Sequence, residues 1–328
     1  MAPISGPGRE PVTKPAGLID LLPGEARLRR RLEDLVLRVF ESWGYELVVT
    51  PSVELLSTLE LGLQPELVRT LFKFMDGDGR LLALVGERTV PIARVAAGPL
   101  RQAPRPLRLC YLGPIFASSP PPGGRREAFQ AGAELIGAAG PTADAEVVAM
   151  AVRALEAAGV RDFQVEVGHV GFFGGIVQGL PESKRAGVRA ALWRRDLVSL
   201  EHALEGSDLA DAERDLVLRF PSLRGGPELL EAASSLIANP ASVAALGELQ
   251  EVYRLVGEHH VGHRVNLDLG AVRDIDYYTS IVFEVFAPGL GSPVAVGGRY
   301  DRLLSRVGRD EPATGFVIFI DRVQELLS

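Results

Sequence analysis

The 328-residue sequence has a single cysteine, Cys110, which excludes an intrachain disulfide. Its place in the apolar run 107–112 is that of a buried thiol behaving as a small hydrophobe, a usage that fits a reducing cytoplasm. Long hydrophobic runs are missing too. The longest strongly apolar stretches, such as 313–320, fall far short of the ~20 residues a membrane helix needs. The N-terminus lacks the basic start and apolar middle of a signal peptide, so a soluble, untargeted cytoplasmic chain is expected. With a net charge of −7 and its arginines dispersed, the chain has no polybasic footprint of the kind that drives nucleic-acid binding. It has no Walker phosphate loop, HExxH, paired CxxC or GxSxG, which removes the short motifs with the clearest mechanics.

Histidine is sparse, and three of the five lie together as His259, His260 and His263. The first and last are one helical turn apart, but no cysteine or further histidine lies nearby in sequence to complete a tetrahedral site. We expect no metal and no cofactor, and read these side chains as complementing a helix end. His169, in Glu166-Val-Gly-His-Val-Gly, is a general base or a structural hydrogen-bonder; its apolar, glycine-flanked setting favours the second. Arg27, Arg29, Arg30 and Arg31 avoid the apolar stripe of their helix and read as a solvated face.

A Pro- and Gly-rich arm of 24 residues precedes a helix over 25–43, whose apolar positions Leu28, Leu32, Leu35, Val36, Val39, Phe40 and Trp43 recur at helical spacing. Gly44 ends it, and 45–49 reads as a strand closed by Thr50-Pro51. Runs 71–75 and 80–85 flank Asp76-Gly77-Asp78-Gly79 and predict a hairpin. Further strands are expected over 107–112, 129–136, 165–167, 265–269, 281–286 and 294–296, with a Pro/Gly loop over 118–126. Thr142 offers an N-cap for a helix ending at Gly159. Residues 171–262 turn helical in pattern and read as an insertion. Since strands and helices do not alternate regularly around it, an α+β fold with an antiparallel sheet flanked by helices is expected.

Four runs combine polar groups with glycines in apolar surroundings: 84–94, 111–116 leading into 130–137, 273–279, and Gly297-Gly-Arg-Tyr-Asp301. An unpaired buried polar group costs roughly 1–3 kcal/mol, so these side chains need partners. Either they satisfy one another or a polar ligand supplies the partners. An amino acid with an extra ring suits the mixture. Glu87, Thr89 and Gln130 offer acceptors to an ammonium, Arg273 a clamp for a carboxylate, and Glu134 with a tyrosine a grip on an imidazole N–H.

These runs resemble the class II aminoacyl-tRNA synthetase core, and histidyl-tRNA synthetase in particular, from residue 17 to the end. Gly-Pro-Ile-Phe through Gln-Ala-Gly-Ala-Glu resembles motif 2, and Arg-Asp-Ile-Asp-Tyr-Tyr and Gly-Gly-Arg-Tyr-Asp resemble the two histidine-specific signatures. Residues 315–322 resemble motif 3. The resemblance implies that Glu87, Thr89 and Gln130 meet the α-amino group of histidine, that Gln130 and Arg273 meet its carboxylate side, and that Glu134 with Tyr277 and Tyr278 recognises the imidazole. It implies one synthetase-like domain over 1–328, with the helical insertion 171–262 inside it and residues 25–51 forming a homodimer interface.

The departures point elsewhere. Ala117 stands where motif 2 carries the arginine that contacts ATP, Gly124 where the next loop usually has another, and Phe319 where motif 3 has a small glycine. Arg126, Arg299 and Arg322 remain, but lost preplaced positive charge makes adenylation inefficient. The sequence ends shortly after Arg322, so no anticodon-binding domain of ~100 residues, and no tRNA, is expected. A kept histidine site beside an eroded nucleotide site resembles the regulatory subunits of short-form ATP phosphoribosyltransferase, as do Val167-Gly-His-Val-Gly and residues 195–201. That resemblance implies a non-catalytic chain that binds free histidine for feedback control. Its partner would be a catalytic subunit condensing ATP with phosphoribosyl pyrophosphate. The rivals are a truncated synthetase-like enzyme that still activates histidine with ATP, and an assembly scaffold with an empty pocket.

Overall fold

The computed structural model describes residues 13–120, 124–194, 196–207, 209, 211–220, 223–237, 239–270 and 278–328. The chain opens with helix α1 (Pro23–Ser42), in which Pro23 fills the first turn, where no amide hydrogen is needed, and Glu25 accepts from the Leu22 amide. Leu32, Val36 and Phe40 form its buried stripe, and Gly44 at φ +79° turns the chain out. Strands β1 (Glu46–Leu47) and β2 (Val53–Leu55) lead to short helices α2 (Leu56–Leu59) and α3 (Pro65–Arg69). The expected hairpin follows as β3 (Lys73–Met75) and β4 (Leu81–Leu84), paired antiparallel, and then α4 (Thr89–Ala97).

The long hairpin β5 (Leu107–Phe116) and β6 (Glu127–Ile136) extends both predicted strands toward the loop between them. Helix α5 (Pro141–Ala158) is buried along most of its length and ends on Gly159 at φ +97°. Its N-cap is Gly140, not Thr142: Pro141 takes the first helical position, which moves the start two residues earlier than the hydroxyl had indicated. Strand β7 (Gln164–His169) is followed by α6 (Val170–Gln178), α7 (Glu182–Trp193), α8 (Leu197–Leu204), α9 (Asp211–Arg219), the two-residue β8 (Arg224–Gly225), α10 (Glu228–Ser234) and α11 (Pro240–Glu258). The chain closes with β9 (Val265–Asp268), β10 (Ile281–Phe286), β11 (Ala295–Arg299), α12 (Asp301–Arg306), β12 (Ala313–Phe319) and α13 (Ile320–Leu326).

Nine strands form one sheet in the order β1-β5-β6-β12-β11-β10-β7-β9-β8, and β2-β4-β3 form a second. The large sheet is antiparallel except at β1/β5 and β7/β9, which pair in parallel. The sequence reading had no signal for these two pairs, because each joins strands separated by a long stretch of chain. One face is covered by α1, α5, α6, α11 and α13, whose apolar side chains merge with Ala131, Ala133 and Leu135 of β6 into the main core. Apolar residues of the helical segment 171–262, such as Phe172, Leu200 and Leu249, belong to that same core. The opposite face carries α2, α4 and α12, packed on Leu109, Tyr111 and Ile136. Among the described residues no helix is long and apolar enough to cross a membrane.

Candidate functional site

Strand periodicity places Gln130 and Glu134 of β6 on the second of these faces. Register then shapes what surrounds them. Glu134 stands opposite Gly315 of β12, and Gly315 stands opposite Gly298 of β11, so two neighbouring strands offer no side chain beside the carboxylate. A β-carbon on Gly315 would lie 1.8 Å from Glu134 Oε2. The space left is a cavity of about 150 Å³, lined by Glu87, Arg88, Thr89, Tyr111, Gln130, Glu134, Tyr278, Val296, Tyr300, Val317 and Phe319, with Leu63 and Leu67 over it.

Glu134 is 2% exposed and holds two hydroxyls: Thr89 Oγ1 donates to Oε1 at 2.8 Å, and the Tyr300 hydroxyl donates to Oε2. Burial pushes its carboxyl up to about 8, the nearby Glu87 adds to the rise, and the two hydroxyl donors oppose it. Glu87 accepts from the backbone amides of Thr89 (2.7 Å) and Val90 (3.0 Å), which caps the start of α4 and aims Thr89 into the cavity. Burial raises its carboxyl as well, against those amide donors. Arg88 brings a cation close but directs its hydrogen bonds to neutral oxygens: Pro114 O (2.7 Å), Thr50 O (3.3 Å), Thr50 Oγ1 (3.1 Å) and Ser52 Oγ (3.4 Å). The guanidinium passes over Gly113, where a β-carbon would stand 2.5 Å from Cζ. The cavity thus has buried carboxylate character and an aromatic wall. Such a site favours a ligand that donates hydrogen bonds and carries positive charge.

The structure brings together five of the seven residues singled out from the sequence: Glu87, Thr89, Gln130, Glu134 and Tyr278 all line this cavity. Arg273 and Tyr277 lie outside the described residues. Tyr300, Tyr111 and Arg88 also line the cavity but had not been selected. Tyr300 stood inside the Gly-Gly-Arg-Tyr-Asp run, but nothing in that run shows that its hydroxyl reaches Glu134.

The side where the resemblance would place ATP is built differently. Next to the first cavity lies a second of about 160 Å³, lined by Leu63, Leu67, Leu71, Phe116, Ala117 and Pro120 together with Thr70, Gly86 and Ser119. Arg322 stacks over the Phe319 ring at 4.1 Å and donates to the Pro293 carbonyl. Arg299 is 4% exposed and clamps Asp144 through Nε (3.0 Å) and Nη2 (3.0 Å) and Asp301 through Nη1 (3.0 Å), so it serves the core. His259 and His263 do not share a helix as their spacing had implied: His259 caps α11, and His263 sits in a separate turn, Gly262–Arg264. Among the described residues no group of three or more metal-ligating side chains forms.

Comparison with known proteins identifies the fold and the family. A family profile described as histidyl-tRNA synthetase matches residues 17–323. A relative from Moorella thermoacetica named ATP phosphoribosyltransferase regulatory subunit is 43% identical, over 95% of this chain and 81% of its own. One of the same name from Geobacter sulfurreducens is 40% identical, over 92% and 70%. Among solved structures, an ATP phosphoribosyltransferase regulatory subunit/histidyl-tRNA synthetase from Bacillus halodurans superposes with a TM-score of 0.90 at 32% identity, covering 96% of this chain and 83% of that one. A histidine–tRNA ligase subunit from Alicyclobacillus acidocaldarius gives 0.79 at 30% identity, covering 97% and 98%. The chain has a histidyl-tRNA synthetase-like fold of class II type and belongs to the family of ATP phosphoribosyltransferase regulatory subunits.

Proposed function

We propose that this chain binds free histidine in the cavity around Glu134 and reports it, without chemistry, to a separate catalytic subunit of short-form ATP phosphoribosyltransferase in the cytoplasm. The observation that carries the reading is the buried Glu134 carboxylate, held by Thr89 and Tyr300 and given room by Gly315. It offers a further acceptor position to an imidazole N–H, and an amino acid lacking that donor would forgo this bond. Glu87 and Gln130 are near enough to serve the ammonium end, with Arg273 and Tyr277 completing the set as the resemblance implies. The apolar cavity at Ala117 and the stacking of Arg322 on Phe319 support binding without activation. Feedback of this kind requires different histidine affinity in two states of the assembly.

A homodimer through residues 25–51 fits the exposed side chains there. Leu47, on the edge strand β1, and Val49, two residues on and 81% exposed, are apolar side chains open to a partner. Titration calorimetry with L-histidine tests the ligand: saturable heat is expected in the wild type and binding about 10- to 100-fold weaker in Glu134→Gln. ATP–pyrophosphate exchange tests the rival enzyme, and robust histidine-dependent exchange overturns a purely regulatory role.

A further inference from the structure

Away from the cavity, one polar cluster with a buried histidine and serine lies where three parts of the chain meet. His169, ending β7, is 6% exposed. Its Nδ1 accepts from the Gly171 amide at 2.9 Å, which leaves the ring hydrogen on Nε2. Nε2 lies 3.0 Å from Glu248 Oε2 and 2.9 Å from Ser280 Oγ, and the Ser280 hydroxyl donates to the same Glu248 oxygen at 2.9 Å. Serine, histidine and carboxylate together invite a nucleophile reading, which the geometry rejects. Serine and carboxylate face the same ring nitrogen, and that nitrogen already carries a hydrogen, so it has no lone pair to take the serine proton.

The cluster is a joint between elements. Glu248 belongs to α11 of the helical segment, and Ser280 stands two residues after Tyr278, whose ring lines the cavity and lies against Gly298. The Ser280 carbonyl accepts from the Val170 amide at 3.0 Å. On the other side, the Thr279 amide donates to the Arg299 carbonyl at 2.8 Å, and Thr279 Oγ1 accepts from the Asp301 amide at 3.2 Å. Residues 278–280 are therefore held between β11 and α12 on one flank and β7 and α11 on the other. Partial burial pushes the Glu248 carboxyl up, but the hydrogen bonds from His169 and Ser280 prevail and hold it below its ordinary value. Both donors thus meet a charged acceptor, which strengthens them.

We propose that His169, Ser280 and Glu248 are positioning residues that couple the Tyr278 side of the ligand cavity to helix α11, so that filling the cavity is felt in the helical segment. The inference rests on the histidine reading above. Helix α11 packs on both α5 and α6, so a change in how firmly it is held reaches the core and the helical segment together.

Hydrogen–deuterium exchange of the full chain, with and without saturating L-histidine, tests this alongside calorimetry on wild type, Glu248→Gln and Ser280→Ala. In the wild type, histidine is expected to slow exchange across α11 and α6. In both variants histidine still binds, about fivefold more weakly, and the slowing in α11 is lost. The Glu248 side chain is 52% exposed, so its replacement leaves the fold intact even if a His169→Asn chain fails to fold. Heat of binding in the wild type without slowed exchange in α11 overturns the inference alone, as does full slowing in both variants. Absence of any heat in the wild type overturns the histidine reading and this inference together.

Discussion

Replacing Glu134 with glutamine should make the ligand-free protein more stable while destroying its site. The carboxyl ionises at about 8 in the fold, against an ordinary value of 4.5, chiefly because it is buried. Between those two pH values the native state holds a proton that the unfolded chain has released, so stability falls as pH rises through that window and levels off above it. At pH 7 the protein is thus about 3 kcal/mol less stable than it would be with a neutral group there, at about 1.4 kcal/mol per pH unit. Glutamine keeps the shape and removes that penalty. Its amide nitrogen cannot accept, however, so Thr89 or Tyr300 must turn its hydroxyl away, at a cost of about 1 kcal/mol. The net expectation is a gain of about 2 kcal/mol at pH 7 that vanishes near pH 4.5, where the variant becomes slightly the weaker. Urea unfolding at both pH values measures it. A variant weaker than wild type at pH 7, or a gain of equal size at both pH values, refutes the reasoning. The same substitution should weaken histidine binding about 10- to 100-fold, because the amide cannot ionise when a cationic ligand arrives as the carboxyl can.

Gly315→Ala forces a methyl group into Glu134 Oε2 and should cost about 1–3 kcal/mol in thermal unfolding, with histidine heats lost in calorimetry; normal binding would show that the carboxylate has another place to go. Arg299→Met leaves Asp144 buried without its cation and should destabilise by about 3–5 kcal/mol, partly recovered by adding Asp144→Asn; additive losses in the double variant would argue against a direct pair. Burial, with the Glu41 charge adding, pushes the Cys110 thiol up to about 12. Labelling by a thiol-specific disulfide reagent at pH 8 should therefore proceed only as fast as the protein unfolds, and prompt labelling of the native chain would contradict its burial.

Local chemistry made much of this site readable. A polar residue two or four places from a glycine on an otherwise apolar strand is conspicuous, and Gln130 and Glu134 were found that way, as was the Glu87–Thr89 pair at a helix start. What sequence could not show is register. Glu134 meets Tyr300 across 166 residues, and the cavity exists because Gly315 and Gly298 fall beside that carboxylate rather than one position along. The parallel pairs β1/β5 and β7/β9 were hidden for a related reason, since nothing local in a strand says which distant partner it finds. Thr142 misled because a proline next to it outranked its hydroxyl in setting the helix start.

The packing around Phe319 and Ala117 sets a barrier against nucleotide binding on this side of the sheet. An arginine placed at position 117 alone would enter a compartment walled by Leu63, Leu67, Leu71 and Phe116 with no anion to pair it. A glycine at 319 alone would free Arg322 from its ring and leave a void beside Val296 and Val317. Each change alone is a loss before the other is made, so the two positions lock one another against single substitution.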